Sequence, residues 1–333
     1  MGKIRIAQIG TSRYSHGNDV VNNLNTNENY EIVGYCLPEN EDRKCPERMA
    51  DLEGYRRLTL EEILNDPTID AVSVETEEYA LARYALAAVR AGKHLHLEKP
   101  GAVSLADFEE LIDEVKARGT VLHIGYMYRY NPAIVELIQQ VKSGELGEIT
   151  CVEAQMNCFH PQEMRQWLAT YKGGMTYFLG CHIIDLILTI QGVPDRILPL
   201  NKCSGQGVDE SEDIGMVVFE YPHGVSFAKT SAVERGGFAR RQLVVTGSKA
   251  TVELRPLEWY PDGWGELYTA KTERTAADWL VDAEPVKSDL FPRYKAMFNA
   301  FAAMVRGEIV NPYTPDYELT LFKTIQKACG VSE

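Results

Sequence analysis

Cationic side chains are scarce in this sequence: 34 Lys and Arg stand against 48 Asp and Glu, a formal charge of −14. An acidic chain repels phosphate backbones and anionic lipid headgroups. No run of Lys and Arg reverses the sign locally, so nucleic acid and membrane surfaces are disfavoured partners. Paired cysteine motifs are also missing. Cys36, Cys45, Cys151, Cys158, Cys181, Cys203 and Cys329 make an odd set with no Cys-x-x-Cys spacing. That argues against a disulfide framework and a structural zinc site, and no metal is expected. Reduced, packed cysteines of a cytoplasmic protein are the expectation. The most apolar stretch, 178–190, is broken by His182 and Asp185 and is too short to span a bilayer. Gly2 to Ala7 alternates like a strand and offers no signal-peptide core. Neither an internal repeat nor a low-complexity segment occurs.

What is present suits two globular domains. The 333 residues are 45% hydrophobic and 25% charged, ordinary values for a folded chain too long for one common domain. Residues 3–9 read as a strand ending at Gly10, followed by a loop and a helix near 16–25. A strand follows at 31–36, which completes a βαβ opening. Thr59 with Glu62 makes a capping-box pattern. A strand core at 71–74 precedes Leu81, Ala85 and Ala88 at helical spacing, with Gly92 placed to end the helix. Residues 93–97 return to strand, Ser104 with Asp107 opens a helix to about Arg118, and 120–124 form another strand. Strands alternating with helices predict a doubly wound parallel sheet, a Rossmann domain over 1–124.

The remaining residues, 125–333, read as a second domain. Strands are expected at 148–157, 196–204, 213–221, 224–234, 240–247 and 249–255, with tight turns at Pro222-His223-Gly224 and Gly247-Ser248. Helices are expected at 161–168, 175–191, 290–306 and 315–328, the last opened by Thr314-Pro315. Together these predict an α+β domain with an open, mostly antiparallel sheet. One face of such a sheet needs cover, and a homo-oligomer interface is a common solution.

Three segments have chemical content. Gly10 closes the first strand, and Gly10 to Gly17 opens a helix N-terminus, where backbone N–H groups would receive a pyrophosphate. The ribose-gripping acid expected after the second strand is replaced by Leu37, with Glu39 two residues on. Lys93 to Pro100 is a strand ending in Glu98, Lys99 and Pro100. An ammonium at that edge can stabilise charge on a substrate oxygen. In Gly173 to Asp185, His182 and Asp185 share a helix face, so the carboxylate could orient an imidazole suited to proton exchange near neutral pH.

Ala91-Gly92-Lys93-His94, Glu98-Lys99-Pro100, Gly125 through Pro132, and Gly173-Gly174 through Gly180-Cys181-His182-Ile183-Ile184-Asp185 occur in this order. Together they resemble the Gfo/Idh/MocA family, named for glucose–fructose oxidoreductase and inositol dehydrogenase, along essentially the whole chain. The resemblance implies NAD or NADP as cofactor, a sugar or polyol substrate, and a homodimer or homotetramer. It implies that Lys99 is the catalytic lysine and His182 the acid–base residue. It places Gly10, Thr11, Ser12, Tyr14, Ser15 and Leu37 along the dinucleotide. Thr76, Glu78, Glu98 and Lys99 would lie at its nicotinamide end. Met127, Arg129, Asn157, Trp167 and Phe178 would join Lys99 and His182 around the substrate.

The chain departs from the family pattern at several of these positions. Phe178 stands where the family commonly has Asp, Thr76-Glu77-Glu78 replaces Thr-Pro-Asn, and Ser12 replaces a glycine. Phe178 lies four residues before His182, so the two share a face. Phe178 has no proton to exchange, and Tyr126, Tyr128 and Tyr177 are the nearby alternatives. The leading expectation is hydride transfer between a sugar or cyclitol hydroxyl and a nicotinamide. The alternatives are redox-neutral chemistry with transiently used NAD, and an inactive nucleotide- or sugar-binding regulator.

Overall fold

A computed structural model describes residues 2–280 and 282–331, and the chain divides into two compact units. Unit 1 comprises Met1–Tyr126 and Tyr294–Phe322; unit 2 comprises Met127–Arg293 and Lys323–Glu333.

Unit 1 is built on strands β1 (Ile4–Ile9), β2 (Tyr30–Cys36), β3 (Ala71–Val74), β4 (His94–Leu97) and β5 (Leu122–Ile124). They form one parallel sheet in the order β2-β1-β3-β4-β5. The three strands β1, β3 and β5 are almost wholly buried, as a sheet covered on both faces requires. The connections are helices α1 (Gly17–Thr26), α2 (Glu41–Lys44), α3 (Leu60–Asn65), α4 (Glu78–Arg90) and α5 (Leu105–Arg118). Thr59 caps α3 in a full capping box with Glu62. Ser104 Oγ accepts from the Asp107 amide at 3.4 Å to start α5. This matches the doubly wound sheet expected from the alternation.

In unit 2, α6 (Pro132–Ser143) starts on Asn131, whose side chain accepts from the Ala133 amide at 3.0 Å. Strand β6 (Ile149–Asn157) and helices α7 (Gln162–Leu168) and α8 (Cys181–Gln191) follow. The strands β7 (Arg196–Lys202), β8 (Ile214–Tyr221), β9 (Gly224–Ser231), β10 (Gln242–Gly247), β11 (Thr251–Leu254), β12 (Glu266–Leu267), β13 (Ala270–Arg274), β14 (Val286–Lys287) and β15 (Phe291–Pro292) complete it. Eight of these strands make a sheet ordered β14-β13-β11-β10-β6-β9-β8-β7, and β12 pairs with β15. Every neighbour in the large sheet is antiparallel except β6 with β9. Val152, Ala154 and Met156 of β6 are buried and alternate with half-buried Cys151, Glu153 and Gln155, so α8 covers one face.

Three features differ from the sequence reading. The expected helix 175–191 opens with a π-helical turn, Thr176–Gly180, before α8. Helix α6 and strands β12 to β15 lie where the sequence reading placed no such element. The third concerns α9 (Lys295–Val305) and α10 (Pro315–Ala328), which the sequence places in the second domain. Residues 294–322, with α9 and the first part of α10, belong to unit 1. Phe298 and Phe301 of α9 are fully buried against the His96 and His123 rings, and Phe322 stacks on Phe108 at 4.3 Å. Among the described residues, no helix is long and apolar enough to cross a membrane.

Candidate active site

The carboxyl ends of parallel strands form the ligand edge of a doubly wound sheet. Gly10 ends β1 with φ +75°, and a Cβ there would lie 2.8 Å from Glu41 Oε1 and 3.2 Å from Thr76 Cα. Only glycine fits this approach of strand ends. Thr11, Ser12 and Ser15 are buried and Tyr14 is half-buried. The serines in the glycine positions have their own bonding. Ser12 N donates to Ser15 Oγ at 3.1 Å, Ser15 N to Ser12 Oγ at 3.0 Å, and Gly17 N to Ser15 Oγ at 3.3 Å. Amides that a glycine-rich loop offers to phosphate are here held by hydroxyls.

The region past β2, expected to meet the adenosine ribose, differs from the sequence reading. Leu37, placed there on the cofactor, is a core residue packed with Val21 and Leu52. Glu39 accepts from Tyr84 Oη at 2.6 Å and from Arg83, with Lys44 at 3.5 Å. Partial burial opposes its ionisation, but Tyr84, Arg83 and Lys44 hold its carboxyl below the usual range. The acid nearest Gly10 is instead Glu41, 1% exposed, whose Oε2 accepts from the Glu39 amide at 2.9 Å. Burial raises its pKa. The sequence reading missed it because it lies past the strand end on α2.

At the other end, Thr76, Glu78, Glu98 and Lys99 are all buried. Lys99 Nζ lies 3.3 Å from Glu98 Oε1, at the end of β4. Glu78 opens α4, and burial pushes its pKa up to about 8. Beside them is a polar core that sequence reasoning missed. Glu75 is fully buried, and burial together with Glu98 raises its pKa well above the carboxylate range. His96 Nε2 lies 3.7 Å from Glu75 Oε1, and His96 Nδ1 faces His123 Nδ1 at 2.8 Å. Burial lowers the His96 pKa to about 3, so the imidazole is neutral. Polar residues in these strands read as alternation noise in a sequence; only the fold stacks them.

In unit 2, Gly173 and Gly174 have φ +84° and +43°, and a Cβ on Gly174 would lie 2.5 Å from the Glu212 carbonyl oxygen. This close passage leads into the buried π-helical turn, and such insertions recur at functional sites. His182 follows on the first turn of α8, fully buried. The Tyr128 ring meets the His182 imidazole edge to face at 5.5 Å. Tyr177 instead stacks on Tyr171, and Tyr126 is a buried residue of unit 1. Tyr128 is therefore a tyrosine that packs directly on the histidine.

Two readings need correction here. Asp185, expected to orient His182, accepts from Arg129 Nε at 2.9 Å and Arg129 Nη2 at 2.8 Å with its two oxygens. Arg129, expected beside substrate, is the buried partner in that bidentate pair. Removing one partner of such a pair costs about 3–5 kcal/mol, so the pair anchors α8 to the segment carrying Tyr128. Phe178 packs edge to face on Trp167 at 5.1 Å, an apolar wall at the family's usual Asp position. Met127 and Asn157 are both buried. Among the described residues, no three His, Cys, Asp or Glu side chains gather to hold a metal ion.

Comparison with known proteins places the fold in a family. Residues 4–126 match a family model described as the Gfo/Idh/MocA oxidoreductase family, NAD-binding Rossmann fold. Residues 134–253 match the C-terminal domain of the same family. The chain is 30% identical over 140 residues to scyllo-inositol 2-dehydrogenase (NADP(+)) of Bacillus subtilis, covering 41% of this chain and 39% of that protein. It is 26% identical over 205 residues to trans-1,2-dihydrobenzene-1,2-diol dehydrogenase of Bos taurus, covering 60% of this chain and 59% of that one. The chain thus spans about two fifths to three fifths of the length of these relatives. The fold superposes on aldose-aldose oxidoreductase from Caulobacter crescentus with a TM-score of 0.78 at 21% identity, over 99% of this chain and 98% of that one. The chain belongs to the Gfo/Idh/MocA family of oxidoreductases, and its first unit is that family's NAD-binding Rossmann fold.

Proposed function

We propose that this protein oxidises a secondary hydroxyl of a sugar or cyclitol, with NAD or NADP as hydride acceptor. The observation that carries the reading is Lys99: a fully buried ammonium, balanced by Glu98 at 3.3 Å, at the carboxyl edge of β4. A buried lysine is expensive to desolvate, and such groups concentrate at functional sites. The residues fit a dinucleotide. Gly10 lets the ends of the strands approach as closely as this edge requires, and the α1 N-terminus follows it. When bound, the nicotinamide supplies the hydride-accepting carbon. Lys99 stabilises negative charge on the substrate oxygen, and His182 exchanges the hydroxyl proton. Phe178 and Trp167 offer an aromatic face to the C–H side of a ring.

The open face of the large sheet supports a homodimer or homotetramer. Leu198, Val218 and Phe227 stand in register across β7, β8 and β9, and Leu200 beside them is 54% exposed. Apolar rows of this kind mark association surfaces.

The test is calorimetric titration with NAD and NADP, then incubation with inositols and aldoses while nicotinamide absorbance is followed. Lys99→Ala should lower turnover by roughly 10²–10³ and His182→Ala by roughly 10²–10⁴, with nucleotide affinity retained. Wild-type turnover in His182→Ala at every pH would remove the acid–base assignment. Absence of nucleotide binding would remove the oxidoreductase reading itself.

A further inference from the structure

Two neighbouring strands of unit 1 each run straight into an acid. Val74 of β3 pairs with Leu97 of β4, so the next residues, Glu75 and Glu98, come side by side at the carboxyl edge of the sheet. Both are buried, Glu75 completely. With both carboxyls ionised, neither oxygen of Glu75 nor Oε1 of Glu98 has a hydrogen-bond partner among the described residues. A proton held between them supplies one, as happens where two carboxyls share a buried site. Glu78, at the start of α4, adds a third buried carboxyl. Lys99 is fully buried 3.3 Å from Glu98 Oε1, and its positive charge also acts on Glu75 and Glu78.

The other groups around Glu75 do not change this balance toward positive charge. On β4, His96 Nε2 lies 3.7 Å from Glu75, but burial keeps that imidazole neutral. Its Nδ1 bonds to His123 Nδ1 of β5 at 2.8 Å. Asp19 on α1 adds negative charge, and Gln8 on β1 adds none. Three buried carboxyls therefore stand around one buried ammonium. A carboxylate out of water needs a counter-charge, and Lys99 supplies one. The acids that it does not balance keep their protons: burial and Glu98 raise the Glu75 pKa well above the carboxylate range, and burial raises that of Glu78 to about 8. The cluster also adjoins the loop that opens α1. A Cβ on Gly17 would lie 3.2 Å from Glu75 Cβ, and one on Gly10 would lie 3.2 Å from Thr76 Cα.

We infer that Glu75 and Glu78 hold a proton for the redox change: these acids give up one proton when the oxidised, positively charged nicotinamide binds at this edge, and take it back when the nicotinamide is reduced and neutral. The inference rests on the dinucleotide reading of unit 1. The physical cause is charge balance, since a second cation at the edge balances a second carboxylate. The proton count closes. Oxidation of a secondary hydroxyl passes a hydride to the cofactor and frees one proton. The same step removes the positive charge from the edge, and the acids take up one proton. Counted over the whole bound complex, hydride transfer then releases none.

The test is calorimetric titration of the whole protein with oxidised and reduced NAD and NADP, without substrate. Each titration is run near neutral pH in phosphate and in Tris, whose different heats of ionisation report the protons exchanged. The oxidised nucleotide should release about one proton more than its reduced partner, which shares every phosphate and ribose group. Binding that releases a proton tightens as pH rises. The affinity ratio of oxidised to reduced nucleotide should therefore climb roughly tenfold per pH unit near neutrality. Infrared difference spectra should show a protonated carboxyl band lost when the oxidised form binds. The double variant Glu75→Gln with Glu78→Gln keeps both shapes and has no carboxyl proton to give at these positions. In it the extra proton, the pH dependence of the ratio and the infrared change should all vanish. Equal proton release by the two redox forms, or a double variant that keeps the difference, overturns the inference. The comparison in the wild type needs no variant, so it decides the matter if the double variant does not fold. Nucleotide binding without the proton difference would sink this inference and leave the dehydrogenase reading standing. Absence of any nucleotide binding would remove both.

Discussion

Replacing Glu78 with glutamine should stabilise the protein, and by an amount that grows with pH. Glu78 is 1% exposed at the start of α4, and burial raises its pKa from 4.5 to about 8, with Glu77 and Glu98 adding and Lys99 opposing. The sign follows from linkage. Between those two values the unfolded chain releases the Glu78 proton while the folded chain keeps it. The folded state then binds more protons, so stability is fully present below the unfolded pKa and falls as pH rises toward 8. Each pH unit in that window is worth about 1.36 kcal/mol. From about pH 5 to about pH 7.5 the wild type should lose about 3 kcal/mol through this group alone. Glutamine keeps the shape, carries no charge in either state and escapes the loss. Urea unfolding of both proteins at the two pH values measures the effect. The stability difference should widen by about 3 kcal/mol, a large share of the 5–15 kcal/mol typical of folded domains. A difference that stays flat with pH would show that Glu78 is already ionised in the folded state, and the reasoning would fail. The retained acid is otherwise a stability cost, which is how functional positions commonly behave. At neutral pH it presents a protonated carboxyl, a hydrogen-bond donor, at the ligand edge of the sheet.

Two further outcomes are expected. Gly10→Val places a branched side chain at φ +75° against Glu41 Oε1 and Thr76, so NAD affinity should fall by more than about tenfold. Unchanged calorimetric affinity in a folded variant would show that the loop does not receive the dinucleotide. The sheet face with Leu198, Val218 and Phe227 should be an interface between copies. Val218→Asp should therefore shift light scattering toward the monomer mass, and a wild-type monomer at micromolar concentration would end that reading.

The sequence alone determined the periodic features of this protein. Strand and helix periods differ, so the alternation over 3–124 was enough for the parallel sheet, and the hairpin turns for the antiparallel one. Local chemistry was legible too: the Thr59 cap, Gly10 at the strand end and Lys99 at the β4 edge depend on neighbours close in sequence. What the sequence could not supply was the partner of each buried group. An amphipathic pattern shows that a helix has an apolar face but not what that face meets. Residues 290–306 were therefore read as second-domain helix, whereas Phe298 and Phe301 found His96 and His123. The same limit hid the polar pairs. Asp185 sits one helical turn from His182, but a bidentate guanidinium 56 residues away took its two oxygens. Leu37 followed the right strand for a ribose contact, but an apolar side chain gains more by joining Val21 and Leu52. Glu75 met Glu98 and His96 only once β3 and β4 lay side by side. Hydrophobic periodicity is a one-dimensional signal set by backbone geometry. Charge pairing is decided in three dimensions, because a buried ion takes whichever partner the packed chain brings to it.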